Sequence, residues 1–335
     1  MSATCKATVL TRKGGPEVLV WMDVPLPEPG PGEVRVRVIA SGVGSTDVTM
    51  RRAYYPYAPK VPFAPGYESV GLVDKLGPGV TDFAVGDRVC ALLVHGGYAE
   101  YVVRGAAHWI KVPPGLDAGE VVALILNYVT AYQAIHREAK VAPGQSALVT
   151  AAAGGVGQAL VQLLGIAGAR VIGAASVRSH ELVRSLGAEP IEGRNAPIAE
   201  GALALVPGGV DCAFDGVGGD QLRGCIQATR RGGMVVWYGF MGTGGSLAAV
   251  MRNYFDLYVG APLRGRRAVF YGITALYRKD PAPFLEDLPR LFTLLGAKKI
   301  APRVALRLPL SAAREANERI ERGGIDGKIV LMADL

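Results

Sequence analysis

Residues 146–176 read SALVTAAAGGVGQALVQLLGIAGARVIGAAS, and the eight residues Ala151–Gln158, AAAGGVGQ, decide what surrounds them. Three glycines fall within four positions: Gly154, Gly155 and Gly157. SALVT ahead of them predicts a strand. The segment behind them, apolar at Val156, Leu160, Leu163 and Leu164, predicts a helix, and ARVIGAAS predicts a further strand. A strand, a glycine turn, a helix and a second strand form the opening unit of a parallel, doubly wound sheet. Such a turn needs one position for the tight bend, one where the backbone can approach a diphosphate, and one where the helix packs closely on the strand. Ala152-x-Gly154-x-x-Gly157 fits that frame, with alanine at the first position. The helix N-terminus adds free N–H groups and the positive end of a dipole. No phosphate-binding lysine accompanies the turn, which argues against a nucleoside triphosphate. Ala152, Gly154, Gly155, Val156 and Gly157 are therefore the candidate dinucleotide contacts.

The end of the second strand chooses the dinucleotide. NAD sites place an acid there for the ribose hydroxyls. Here the chain runs Ala174-Ala175-Ser176-Val177-Arg178-Ser179-His180, with no acid before Glu181. Arg178 can pair with a 2′-phosphate, and Ser176 and His180 can donate hydrogen bonds to it. The expected cofactor is NADP(H).

The remaining chain divides by periodicity. Glu33–Gly44, EVRVRVIASGVG, alternates at Val34, Val36 and Val38, the period of a half-buried strand. Short strands separated by Gly/Pro turns continue to about residue 120 and suggest a small barrel. Strands and helices then alternate. The tail is mixed: a helix in PAPFLEDLPRLFTLLGAKK, a strand in VALRLPLS with Ser311 as a candidate N-cap, a helix in AAREANERIERGG and a closing strand in GKIVLM. A length of 335 residues, half of them apolar, suits two domains.

The net charge is +7 and the pI about 9.2. The basic residues are scattered and not interleaved with aromatics, so nucleic acid is not an expected partner. Cys5, Cys90, Cys212 and Cys225 lack zinc-site spacing and read as buried small residues in a reducing compartment. MSATCKATVL lacks a signal-peptide pattern, and the apolar run Val121–Leu126 is too short to cross a bilayer. The expectation is a soluble cytoplasmic protein without a membrane partner.

GYESVGLVDKLGPGVTDFAVGDRV, GGYAEYVV, TAYQAI, the glycine-turn segment, VRSLGA, DCAFDGVGG and IDGKIVL together resemble the medium-chain dehydrogenase/reductase superfamily, in its zinc-free quinone oxidoreductase and enoyl reductase branch. The resemblance covers nearly the whole chain. It implies an α/β architecture: a Rossmann doubly wound parallel sheet at 123–270, and a split GroES-like β-barrel catalytic domain at 1–122 and 271–335. It also implies a cofactor in the cleft and a homodimer built by pairing Rossmann edge strands.

Departures from the zinc-dependent relatives are as informative as the matches. Where those relatives place metal ligands, this chain has Gly44, Tyr67 (in Gly66-Tyr67-Glu68) and a position near Leu126, and no structural-zinc lobe. No metal is expected. Without a Lewis acid, simple alcohol oxidation is disfavoured. Hydride transfer to a quinone or an α,β-unsaturated carbonyl remains.

The resemblance places the candidate proton donor at Tyr55, although Ala53 replaces a usual glycine; Tyr54, Tyr57 and water are rivals. Tyr67 is expected to fill the former metal position, with a direct role as an alternative. The family also implies cofactor contacts at Thr130, Gly239, Phe240 and Met241. Asn127–Tyr128 is unusual there and is expected to shape the pocket, while Asp47 reads as structural. Two alternatives stay open: a pathway-specific biosynthetic enoyl reductase, and an NADPH-binding protein without turnover in an RNA- or membrane-associated role.

Overall fold

The computed structural model describes residues 3–52, 55–240 and 246–333. The chain forms two units, Met1–Leu126 with Ala282–Leu335, and Asn127–Pro281.

The first unit begins with an antiparallel ribbon, β1 (Thr4–Leu10) on β2 (Leu19–Pro25). Its main sheet contains β3 (Glu33–Val43), β4 (Glu68–Leu76), β5 (Arg88–Leu92), β6 (Tyr101–Gly105) and β7 (Ile110–Lys111). Two tail strands, Val304–Pro309 and Lys328–Met332, complete it, the second pairing antiparallel with β3. Val34, Val36 and Val38 point into a core with Val73, Val89, Val102 and Trp109. The alternation predicts a half-exposed strand, yet β3 is buried on both faces over most of its length. It pairs with β4, with β6 and with the tail strand, and the Ala118–Ala123 segment packs against it. Arg35, on the face opposite the valines, is covered too and is neutralised by Asp74 at 2.6 Å and Glu28 at 2.8 Å.

The second unit is a six-stranded parallel sheet of β8 (Ser146–Val149), β9 (Arg170–Ala175), β10 (Glu189–Glu192), β11 (Val210–Asp215), β12 (Thr229–Trp237) and β13 (Arg267–Phe270). The strand order β10-β9-β8-β11-β12-β13 reverses between β8 and β11. That reversal opens a crevice at the carboxyl ends of the strands, where ligands of such sheets bind. Leu148, Ile172, Ala213, Leu222, Val235 and Trp237 belong to one buried core.

The unit limits differ from those read in the sequence. The return to the first unit comes at Ala282 rather than near 271. Tyr271 explains the difference: its N–H donates to the Trp237 carbonyl and its hydroxyl to Gln133 Oε1, each at 2.8 Å. The other limit falls inside a helix, Ala118–Ala139, that runs well past the apolar stretch Val121–Leu126. By length and composition this helix could cross a membrane, but 83% of its most apolar window is buried inside the protein, as in a core helix. Ser311 is not an N-cap. It lies within the turn Leu310–Ala312, and the helix Ala313–Arg322 starts after Ala312.

Candidate active site

The glycine turn joins β8 to the helix Gly155–Ile166, with Gly154 in extended conformation just ahead of it. A Cβ on Gly157 would lie 2.1 Å from the Ala151 carbonyl oxygen and 2.8 Å from Ala152 Cα, so only glycine lets this helix seat on the turn. The left-handed bend (φ +47°) falls at Ala151, not at a glycine. Ala152 departs from the reading above. It is fully buried and its N–H donates to the Ala174 carbonyl at 3.0 Å, so it ties the turn to β9 and offers no N–H to a diphosphate. A Cβ on Gly155 would lie 2.5 Å from Asn127 Nδ2, which places the nearly buried Asn127 amide at the first turn of the helix. The turn bearing Thr130, itself 5% exposed, packs against the same helix. These features suit a diphosphate: close backbone approach, a helix of adequate length and a polar amide beside its start.

Ser176, Arg178 and His180 follow the end of β9. Arg178 is exposed and Ser176 half-buried. The His180 ring is turned back toward the strand, its Nε2 lying 3.2 Å from the Ala175 carbonyl oxygen. That contact occupies one ring nitrogen and points it away from solvent.

The ends of β11 and β12 form the far side of this carboxyl edge. Buried Asp215 accepts from the Thr150 hydroxyl at 2.7 Å, from Gly218 N–H at 2.7 Å and from Val217 N–H at 3.1 Å. Burial pushes its carboxyl up, and these three donors pull it back. Thr150 also accepts from Gly216 N–H at 3.1 Å, so this pair holds the 215–218 loop beside the glycine turn. Thr150 was missed in the sequence; a hydroxyl at one strand end opposite an acid at the next is the signal that could have found it. Gly239 packs against Gly216. The Phe240 ring joins Trp237 (centroids 4.8 Å apart) and Phe270 (5.2 Å), so the side chain anchors the core and its backbone is the part left to meet a ligand. Met241 and Tyr54 lie outside the described residues.

In the first unit, the two candidate tyrosines meet. The hydroxyls of Tyr55 and Tyr67 are 2.8 Å apart, and Tyr57 stacks edge-on against Tyr55 with centroids 5.7 Å apart. Tyr67 is 2% exposed and Tyr55 half-buried. The Tyr67 carbonyl accepts from both Leu93 and Val94 N–H, at 2.8 and 2.9 Å, which fixes its backbone. Among the described residues, no three His, Cys, Asp or Glu side chains converge as a metal site. All four cysteines are free and buried.

Known proteins match both units. The family described as "Alcohol dehydrogenase GroES-like domain" matches residues 30–114, and "Zinc-binding dehydrogenase" matches residues 155–275. The chain is 35% identical to a 2-haloacrylate reductase of Burkholderia sp, over 97% of this chain and 98% of that protein. It is 33% identical to a quinone oxidoreductase of Rattus norvegicus, over 95% of each. It is 30% identical to the human synaptic vesicle membrane protein VAT-1 homolog, over 98% of this chain and 86% of that protein. A mycobacterial protein solved in complex with NADPH superposes with a TM-score of 0.87 at 28% identity, covering 98% of this chain and 99% of that one. The chain thus belongs to the medium-chain dehydrogenase/reductase superfamily of oxidoreductases, in the branch that includes the quinone oxidoreductases.

Proposed function

We propose that this oxidoreductase is an NADPH-dependent, zinc-independent reductase of quinones or α,β-unsaturated carbonyls. The observation that carries the reading is the hydroxyl pair of Tyr55 and Tyr67, 2.8 Å apart, with Tyr67 at the sequence position where the resemblance puts a metal ligand in zinc-dependent relatives. The 2-haloacrylate reductase and the quinone oxidoreductase among its relatives act on acceptors of this kind by name. NADPH supplies the hydride when bound. Gly154, Gly155, Val156 and Gly157 would hold its diphosphate, Ser176 and Arg178 its 2′-phosphate, and Thr130, Gly239 and Phe240 its nicotinamide end. Hydride arrival at the β-carbon leaves an enolate, or at a quinone a hydroquinone anion. The more accessible Tyr55 gives its Oη proton to that anion, and the Tyr67 hydroxyl donates across the 2.8 Å contact to steady the Tyr55 oxygen. Solvent restores the Tyr55 proton.

The deciding assay is NADPH oxidation, with NADH in parallel, against benzoquinone, phenanthrenequinone, 2-alkenals, a simple enone and crotonyl-CoA. Turnover with NADPH preferred supports the reading. Bound NADPH without any turnover moves the weight to a non-catalytic, membrane-associated role; membrane association is what the name of the VAT-1 relative carries. Arg178→Ala is expected to raise the KM for NADPH about tenfold to a hundredfold and leave that for NADH within about twofold. Equal effects on the two cofactors would remove Arg178 from the phosphate site.

We also propose that the protein is a homodimer. Leu247, Met251, Phe255 and Leu263 are exposed (73%, 59%, 61% and 81%) along one helical stretch beside β13, the edge strand of the parallel sheet. Soluble monomers rarely leave such a stripe and an open edge uncovered. Phe255→Glu is expected to convert a dimer into a monomer in size-exclusion chromatography with light scattering. A wild-type protein that is monomeric at every concentration would sink this proposal.

A further inference from the structure

Tyr67 is flanked by two residues that are each tied to a buried charge. On one side Gly66, in the left-handed region at φ +102°, donates its N–H to Asp47 Oδ1 at 3.2 Å. The other oxygen, Oδ2, accepts from Gly44 N–H at 2.9 Å. Asp47 is 2% exposed; it caps its own helix through Gly44 and ties that helix to the Gly66 segment, which carries Tyr67. On the other side Glu68, fully buried, pairs with Lys328 of the last tail strand at 2.5 Å. The pair lies directly over Gly42 of β3, where a Cβ would meet Glu68 Oε1 at 2.0 Å and Lys328 Cε at 2.7 Å.

From this geometry we infer that Asp47 is a positioning residue, which holds the Gly66–Tyr67 backbone so that the Tyr67 hydroxyl stays in register with that of Tyr55. The inference rests on the reductase reading proposed above. A carboxylate is required because two N–H groups converge on it. An asparagine side chain has one acceptor oxygen and would turn its NH₂ toward the other donor.

The clamp is also sensitive to pH. Burial first, and then the Glu68 carboxylate, push the Asp47 carboxyl up from 3.8 to about 6; the Gly44 N–H, Lys328 and Tyr98 act the other way. Tyr98 and Asn317 close the polar cluster, with the Tyr98 phenol raised well above its ordinary value by burial and by Asp47. Arg51, one turn along the same helix, is buried and paired with Glu321. The folded chain holds the Asp47 proton more tightly than the unfolded chain. The Asp47 contribution to stability therefore falls as pH rises from about 4 through about 6. The anion that clamps Gly66 forms over the same range, so turnover gains what stability loses.

The test is Asp47→Asn, alone and combined with Tyr67→Phe. Hydrogen exchange across residues 64–70 is expected to quicken in D47N. kcat should fall about tenfold to a hundredfold, with KM for NADPH unchanged. The acid limb of the kcat profile near pH 6 should disappear, and the double variant should be no slower than Y67F. Exchange in D47N equal to wild type, or losses in D47N and Y67F that multiply in full, would overturn the inference. A Y67F enzyme as fast as wild type would instead sink the tyrosine chemistry, and the exchange result would still decide the clamp. Should D47N fail to fold, the wild-type Gly66 amide decides: held by Asp47, it should be protected at pH 7, and exchange at the rate of an open loop amide overturns the clamp.

Discussion

Gly157→Ala is expected to weaken NADPH binding about a hundredfold while leaving the protein folded. The added Cβ would stand 2.1 Å from the Ala151 carbonyl oxygen and 2.8 Å from the Ala152 Cα. Both are backbone atoms, so no side chain can rotate out of the way. The helix Gly155–Ile166 must lift from the turn, and its first N–H groups leave the position that a diphosphate needs. Forcing one methyl into a packed contact costs about 1–3 kcal/mol, and a hundredfold loss of affinity corresponds to about 2.7 kcal/mol. Fluorescence titration with NADPH gives the Kd, and far-UV circular dichroism controls for folding. A folded variant with wild-type affinity would show that the diphosphate binds elsewhere.

Tyr55→Phe is expected to lower kcat about 10²- to 10⁴-fold, the usual contribution of a positioned proton donor. KM for the acceptor should change little, because the ring and its edge contact with Tyr57 remain. Tyr67→Phe should cost less. Tyr67 is 2% exposed and acts behind Tyr55, whose proton solvent could replace slowly. Steady-state kinetics on the best acceptor of the panel decide the order. An unimpaired Tyr55→Phe enzyme would hand the donor role to Tyr57 or to water.

The candidate residues of the two units differ in how much of them could be read in advance. Gly154, Gly155 and Gly157 announce themselves because a strand, a turn and a helix are successive in the chain, and each demands its own residue types. Arg178 is a candidate for the same local reason, since it follows the second strand where an acid is missing. Ala152 misled because the frame gives the tight bend to its position, whereas the chain bends at Ala151 and buries Ala152 against β9. Periodicity also understated β3, whose alternation is local while the cover on its second face comes from distant segments.

By itself, the sequence determined two units, one a parallel dinucleotide-binding sheet and one barrel-like. Hydrophobic period and glycine spacing act over a few residues and survive any change of surroundings. Only the tertiary structure decided that Tyr55 and Tyr67 share a hydrogen bond, that Thr150 and Asp215 hold one loop, and that Asp47 grips Gly66 while Lys328 neutralises Glu68. Those contacts join residues far apart in the chain. No local rule links them: each charge or hydroxyl acquires a role only when burial removes water and leaves the other as its partner.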